Sequence, residues 1–182
     1  MDEQLAFLKL MATRLAGAGI PYMVTGSMAL AVYAVPRMTR DIDLVVEVQT
    51  ADVGRLVGLF AADCYIDETA VRDAVARRGM FNIIHNEWIL KADFIVRKAE
   101  PYREVELARR RSVDIDGCPV SVVAPEDLLL SKLCWGRESG SELQRRDVEQ
   151  LVRSAPGLDW DYLAAWAAKL GVGDLLEAVR PT

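Results

Sequence analysis

The stretch that most restricts the fold is Val24-Thr25-Gly26-Ser27-Met28-Ala29-Leu30, followed by Arg37-Met38-Thr39-Arg40-Asp41-Ile42-Asp43-Leu44-Val45-Val46. A short apolar run ends at Gly26-Ser27, a helix-length segment follows, and a second apolar run carries two aspartates on alternate residues. Side chains alternate between faces along a strand, so Asp41 and Asp43 point from one side while Ile42, Leu44, Val46 and Val48 line the other. Neighbouring carboxylates repel, and each favours protonation of the other unless a cation lies between them. Two hard oxygen ligands at this spacing suit magnesium, which keeps several waters and binds through one or two carboxylates plus phosphates. Gly26-Ser27 is expected to turn the chain into a helix whose free N–H groups face an anion, with Ser27 as N-cap and Pro36 ending the helix after about Val35.

The remaining pattern places this pair of runs in an α/β (α+β) chain. Leu5, Leu8, Leu10, Met11 and Leu15 recur at helical spacing, and 20–25 reads as a buried strand. The second strand is expected over Asp41 to Val48, followed by a helix over Ala51 to Ala61 capped by Thr50. Residues 63–79 mix charges with few large apolar residues and read as a surface turn and a short helix. Two strands, Phe81 to His85 and Ile89 to Val96, follow around the Asn86-Glu87 turn. In the second, Ala92, Phe94 and Val96 take the core side, leaving Lys91, Asp93, Ile95 and Arg97 on the other. A helix near Tyr102 to Arg109 leads to a hairpin over Ser112 to Val123 that turns at Asp116-Gly117. Its Asp114-Ile115-Asp116 repeats the earlier motif, but the turn explains it and no Gly-Ser helix precedes it.

From Pro125 the pattern is helical. Pro125-Glu126-Asp127 starts one helix, Ser141 and Gln144 have capping-box spacing for the next, and the apolar residues from Trp160 to Val179 form one longer and one shorter closing helix. The expected organisation is a small mixed β-sheet flanked by helices over 1–124, followed by a helical C-terminal subdomain over 125–182.

Asp93 is a third candidate acid. It sits mid-strand among apolar neighbours, where an unpaired charge is costly, so it should have a partner, either a metal shared with Asp41 and Asp43, or Lys91 or an arginine across the sheet. The chain of 182 residues has a net charge of −5, which argues against a sequence-blind nucleic-acid binder. Arg37 with Arg40, Arg77 with Arg78, Arg109 to Arg111, and Arg145 with Arg146 are local basic clusters; the first immediately precedes the paired aspartates. Cys64, Cys118 and Cys134 are isolated and read as ordinary thiols. His85, Trp160 and Trp166 read as structural. No segment reads as a membrane span and the N-terminus lacks the basic start of a signal peptide, so a cytoplasmic protein without membrane contact is expected.

Gly26-Ser27, a gap of 13 residues (28–40), then Asp41-Ile42-Asp43-Leu44 resembles the signature of the DNA polymerase β-like nucleotidyltransferases. The run Arg37 to Leu44 is similar to the AbiEii-like toxin branch of that superfamily, as are Pro125-Glu126-Asp127-Leu128 with Lys132 and Arg145-Arg146-Asp147-Val148. The resemblance covers about Leu5 to Leu151. It implies the nucleotidyltransferase fold, an NTP donor with magnesium, two ions being expected, and transfer of a nucleoside monophosphate with release of pyrophosphate. By position, Asp41, Asp43 and Asp93 would be the catalytic, metal-binding acids, Asp93 also helping to deprotonate the acceptor. Gly26 and Ser27 would hold the β- and γ-phosphates, with Arg37, Arg40, Lys91 and Lys132 as candidate cations; fixed positive charge there matters most in the transition state. The acceptor is left open between RNA such as tRNA, protein and a small molecule such as an aminoglycoside. A cognate antitoxin or a second copy of the chain is the expected protein partner, and a non-catalytic member of a toxin–antitoxin pair is the alternative.

Overall fold

A computed structural model describes residues 2–37, 39 and 41–181. Helix α1 (Asp2–Gly17) presents Phe7, Leu8, Met11 and Leu15 to the core at the spacing of one helical face. Strand β1 (Tyr22–Thr25) runs into α2 (Gly26–Tyr33), and β2 (Ile42–Val46) returns antiparallel to β1. A 3-10 turn (Thr50–Asp52) and α3 (Val53–Phe60) lead to β3 (Cys64–Tyr65), α4 (Glu68–Arg77), β4 (Met80–His85) and β5 (Lys91–Val96). Helix α5 (Pro101–Ala108) precedes the hairpin β6 (Arg111–Ile115) and β7 (Cys118–Val122), and four helices close the chain: α6 (Pro125–Ser139), α7 (Glu142–Ser154), α8 (Trp160–Leu170) and α9 (Gly173–Glu177).

The seven strands form one sheet in the order β3-β4-β5-β2-β1-β7-β6. It is mixed: β2–β5 and β1–β7 are parallel, the other pairs antiparallel. The alternation of β2 and β5 decides its two faces. Ile42, Leu44, Val46, Ala92, Phe94 and Val96 are buried, with Phe94 packed against Phe60 of α3 at 5.8 Å and Phe81 of β4 at 5.2 Å between ring centroids. The opposite face carries Asp43, Val45 and Glu47 beside Asp93, Ile95 and Arg97, all only half-buried. Register aligns them in rows: Asp43, Asp93 and Asn82 in one, Val45, Ile95 and Met80 in the next.

Several local expectations are corrected. Strand β2 starts at Ile42, so Asp41 lies just ahead of it rather than inside it. Helix α2 starts at Gly26 with Thr25 at the N-cap position, so Ser27 is not the cap and its hydroxyl is turned to another partner. Gln49 and Asp52, not Thr50, cap the turn into α3, through reciprocal side-chain and backbone bonds. Residues 63–79 contain α4 as expected, but also the edge strand β3, too short to leave an alternation in the sequence. Ser141 does cap α7, whereas the Gln144 side chain bonds Lys132 instead of closing a capping box.

The acids that open α6 are more deeply placed than a helix-dipole role requires. Glu126 and Asp127 are buried, and Arg109 reaches both, at 3.1 and 2.9 Å. Tyr102 and Tyr162 donate to Asp127 Oδ1, and Ser131 and Arg103 bond the buried Glu106. This network joins α5 and α8 to α6. His85 stacks on Trp88 at 3.9 Å and meets Phe7 edge-on, a packing role, and Tyr102 and Trp166 lie 5.1 Å apart. The cysteines are free thiols.

Candidate functional site

The site forms where β1 ends and β2 and β5 begin. Thr25 is the register partner of Asp43, and Asp43 of Asp93, so the chain turns at Gly26 directly beside the acids. Gly26 has φ +62°, and a Cβ there would overlap Asp43 Oδ2 and lie 2.9 Å from its Cγ. Glycine is required both by the backbone conformation and by this close approach. The motif therefore has a steric reason: the turn and the carboxylate share one space.

The three acids sense one another. Burial, then Asp93 and Asp41, push the Asp43 carboxyl above its ordinary range, opposed by Lys132 and Lys91. Asp41 is exposed. The Lys91 ammonium lies 3.1 Å from Asp93 Oδ2 and 3.6 Å from Asp41 Oδ1, and Asn82 donates from Nδ2 to Asp93 Oδ1. Lys91 thus sits among the acids, as the pairing with Asp93 expected from the sequence would have it.

On the other side of Gly26, Ser27 Oγ accepts from Arg37 Nη2. Arg37 also forks onto Asp147 at 3.1 and 3.2 Å, and Lys132 Nζ lies 2.7 Å from the same carboxylate and 3.2 Å from Gln144 Oε1. Lys132 and Asp147 are both buried; burial lowers the lysine pKa, opposed by its bond to Asp147. One aspartate of α7 therefore holds two cations beside the Gly-Ser turn. Arg40 lies outside the described residues. A cavity of about 260 Å³ opens between α6, α7 and α9 with Lys132 and Gln144 on its wall.

The structure thus brings Gly26, Ser27, Arg37, Asp41, Asp43, Asp93 and Lys132 to one region. Two neighbours escaped the sequence reading. Asn82 would have required the β4–β5 register, and Gln144 was absorbed by its capping-box spacing.

Among the described residues no three His, Cys, Asp or Glu side chains stand together in metal-holding geometry. Both Asp93 oxygens are turned to Asn82 and Lys91. The donor chemistry nevertheless fits magnesium, since all three groups are hard carboxylates; burial first and then repulsion from Asp93 and Asp41 raise Asp43, and a divalent cation would relieve the repulsion.

Solved structures share the fold. An antigenic nucleotidyltransferase-like protein from Paracoccidioides brasiliensis superposes with TM-score 0.63 at 19% identity, over 98% of this chain and 92% of that one. ANT(2'')-Ia, solved in complex with adenylyl-2''-tobramycin, gives TM-score 0.61 at 14% identity over 93% and 97% of the two chains. The chain has the nucleotidyltransferase fold. The lincosamide antibiotic adenylyltransferase LnuA, solved with lincomycin bound, matches at TM-score 0.52 and 12% identity over 83% of this chain and 96% of that one. No family model and no curated protein matches the sequence. At these identities the likeness establishes the nucleotidyltransferase fold and does not single out the AbiEii-like branch. No helix among the described residues is long and apolar enough to cross a membrane.

Proposed function

We propose that the protein is a magnesium-dependent nucleotidyltransferase that moves the nucleoside monophosphate of an NTP to a hydroxyl of an acceptor. The single observation that carries this reading is the contact of the Gly26 turn with Asp43, itself in register with Asp93, which makes the anion-facing turn and the acids one site. Asp41, Asp43 and Asp93 would hold the metal, as one ion or two. Gly26 and Ser27, with Arg37 and Lys132 behind them, would hold the β- and γ-phosphates. When bound, magnesium would neutralise charge on the transferring phosphoryl group and orient it. The acceptor oxygen bonds to the α-phosphorus, the bond to pyrophosphate breaks, and the acceptor proton passes to a carboxylate, for which Asp93 is the candidate. Because Arg37 and Lys132 are preset by Asp147, they need little rearrangement as charge develops on pyrophosphate.

The fold neighbours crystallised with adenylylated tobramycin and with lincomycin make a hydroxyl-bearing small molecule the first acceptor class to test. The test is incubation with each α-labelled NTP, magnesium and three acceptor arms: aminoglycosides and related antibiotics, RNA including tRNA, and proteins including any antitoxin encoded with the chain. Labelled acceptor and released pyrophosphate are expected; absence of both nucleotide binding and transfer overturns the reading. The engagement of Asp93 by Lys91 and Asn82 favours a second reading, a non-catalytic nucleotide-binding protein. Nucleotide binding without transfer in any arm would select it.

A further inference from the structure

Lys91 stands two residues before Asp93 on the same face of β5, and its ammonium lies between two acids of the site. Both Asp93 oxygens are engaged in this arrangement: Oδ2 accepts from Lys91 and Oδ1 from Asn82, its register partner on β4. Asp41 leans on the same ammonium from ahead of β2. A divalent cation drawn to Asp41 and Asp93 would compete with the Lys91 ammonium for the same two carboxylates.

We propose that Lys91 is a built-in counter-ion that competes with the divalent cation for Asp41 and Asp93, with Asn82 holding Asp93 in the competing orientation. The energetics allow the exchange. The Lys91 side chain is 43% exposed, so it can swing into solvent, and water screens its pairing with the acids. One ammonium also leaves three carboxylates with two charges uncompensated, and a doubly charged ion on hard oxygens satisfies them better. Lys91 therefore limits repulsion among the acids while no metal is bound, and raises the cation concentration at which the site closes around one. An NTP that arrives with its own magnesium overcomes this threshold more readily than the free ion does. The device couples metal occupancy to nucleotide arrival.

This inference rests on the metal-site reading above, and the experiment separates the two. Mn2+ is titrated into wild-type protein, Lys91→Met and Lys91→Arg, with and without a non-hydrolysable NTP, and free Mn2+ is followed by its paramagnetic resonance signal. Lys91→Met is expected to bind Mn2+ about three- to tenfold more tightly than wild type without nucleotide, the gain shrinking once nucleotide is added. Lys91→Arg, which keeps the charge, should stay near wild type. Asn82→Ala, which frees one Asp93 oxygen, should tighten binding in the same direction by a smaller factor. Unchanged or weakened Mn2+ binding by Lys91→Met, or equal tightening by Lys91→Arg, overturns the counter-ion role while leaving the metal site standing. Failure of all the proteins to take up Mn2+ even with nucleotide removes the metal site itself, and the inference with it.

Discussion

Two clusters of three carboxylates lie in this molecule, and they are built on opposite principles. Glu106, Glu126 and Asp127 are all buried, and each is met by arginine, with Tyr102, Tyr162 and Ser131 completing the hydrogen bonds. Asp41, Asp43 and Asp93 lie at a half-open sheet end with one exposed lysine bridging two of them. In the first cluster the acids and cations are matched, and its members tie helices together. In the second, negative charge exceeds the cations touching it. The contrast teaches that acid count alone does not mark a functional site; the mismatch between acids and fixed cations does, because folding has no reason to gather uncompensated charge.

The comparison can be broken by mutation. The largest expected effect is on transfer: Asp43→Ala should lower it about a thousandfold, measured as pyrophosphate release, while the urea midpoint without metal stays at or slightly above wild type. A variant that fails to fold would move Asp43 into the structural class. Next, Arg109→Ala should cost about 3 kcal/mol of stability in urea denaturation, because it leaves the buried Asp127 with tyrosine partners only and Glu126 with Arg111 as its one cation. A loss below about 1 kcal/mol would show that the two clusters do not differ in kind.

A smaller effect is expected from pH. Burial raises the Glu106 and Asp127 carboxyls above their ordinary values despite their partners. The folded state therefore binds these protons more tightly than the unfolded chain, and stability should fall as pH rises from the unfolded value of about 4 through the raised folded ones. Glu106→Gln should flatten part of that fall above the ordinary carboxylate range in thermal melts; an unchanged slope refutes the assignment. The smallest effect sharpens the motif itself. Asp116→Asn, in the second Asp-Ile-Asp, should leave transfer within about twofold of wild type, since Asp116 sits in an exposed hairpin turn paired with Lys9.

The fold was largely legible because the strands nearest the site carry strong signals. Strand β5 alternates without a break from Lys91 to Val96, and β1 and β2 bracket the Gly26 turn at a helix-length gap. Strand β3 was not legible, because two residues cannot display a period. That Asp43 and Asp93 share one sheet face was legible from alternation, and the second Asp-Ile-Asp does lie at a hairpin turn, where Asp114 Oδ1 accepts from the Gly117 N–H. Glu126 and Asp127 were read as first-turn acids of a helix, since nothing local distinguishes a solvated first turn from one buried against Arg109.

By itself, then, the sequence determined the local periods: which residues alternate, where glycine and proline interrupt, and which acids share a strand face. These follow from backbone geometry, which acts over a few residues. Only the tertiary structure decided partners. That Lys91 lies on the acids, that Asp147 holds Arg37 and Lys132 together, and that Gly26 is needed because Asp43 fills its side-chain space all join residues across different elements. Charge and steric exclusion depend on distances through space, and those exist only once the sheet has set its register and α6 and α7 have packed beside it.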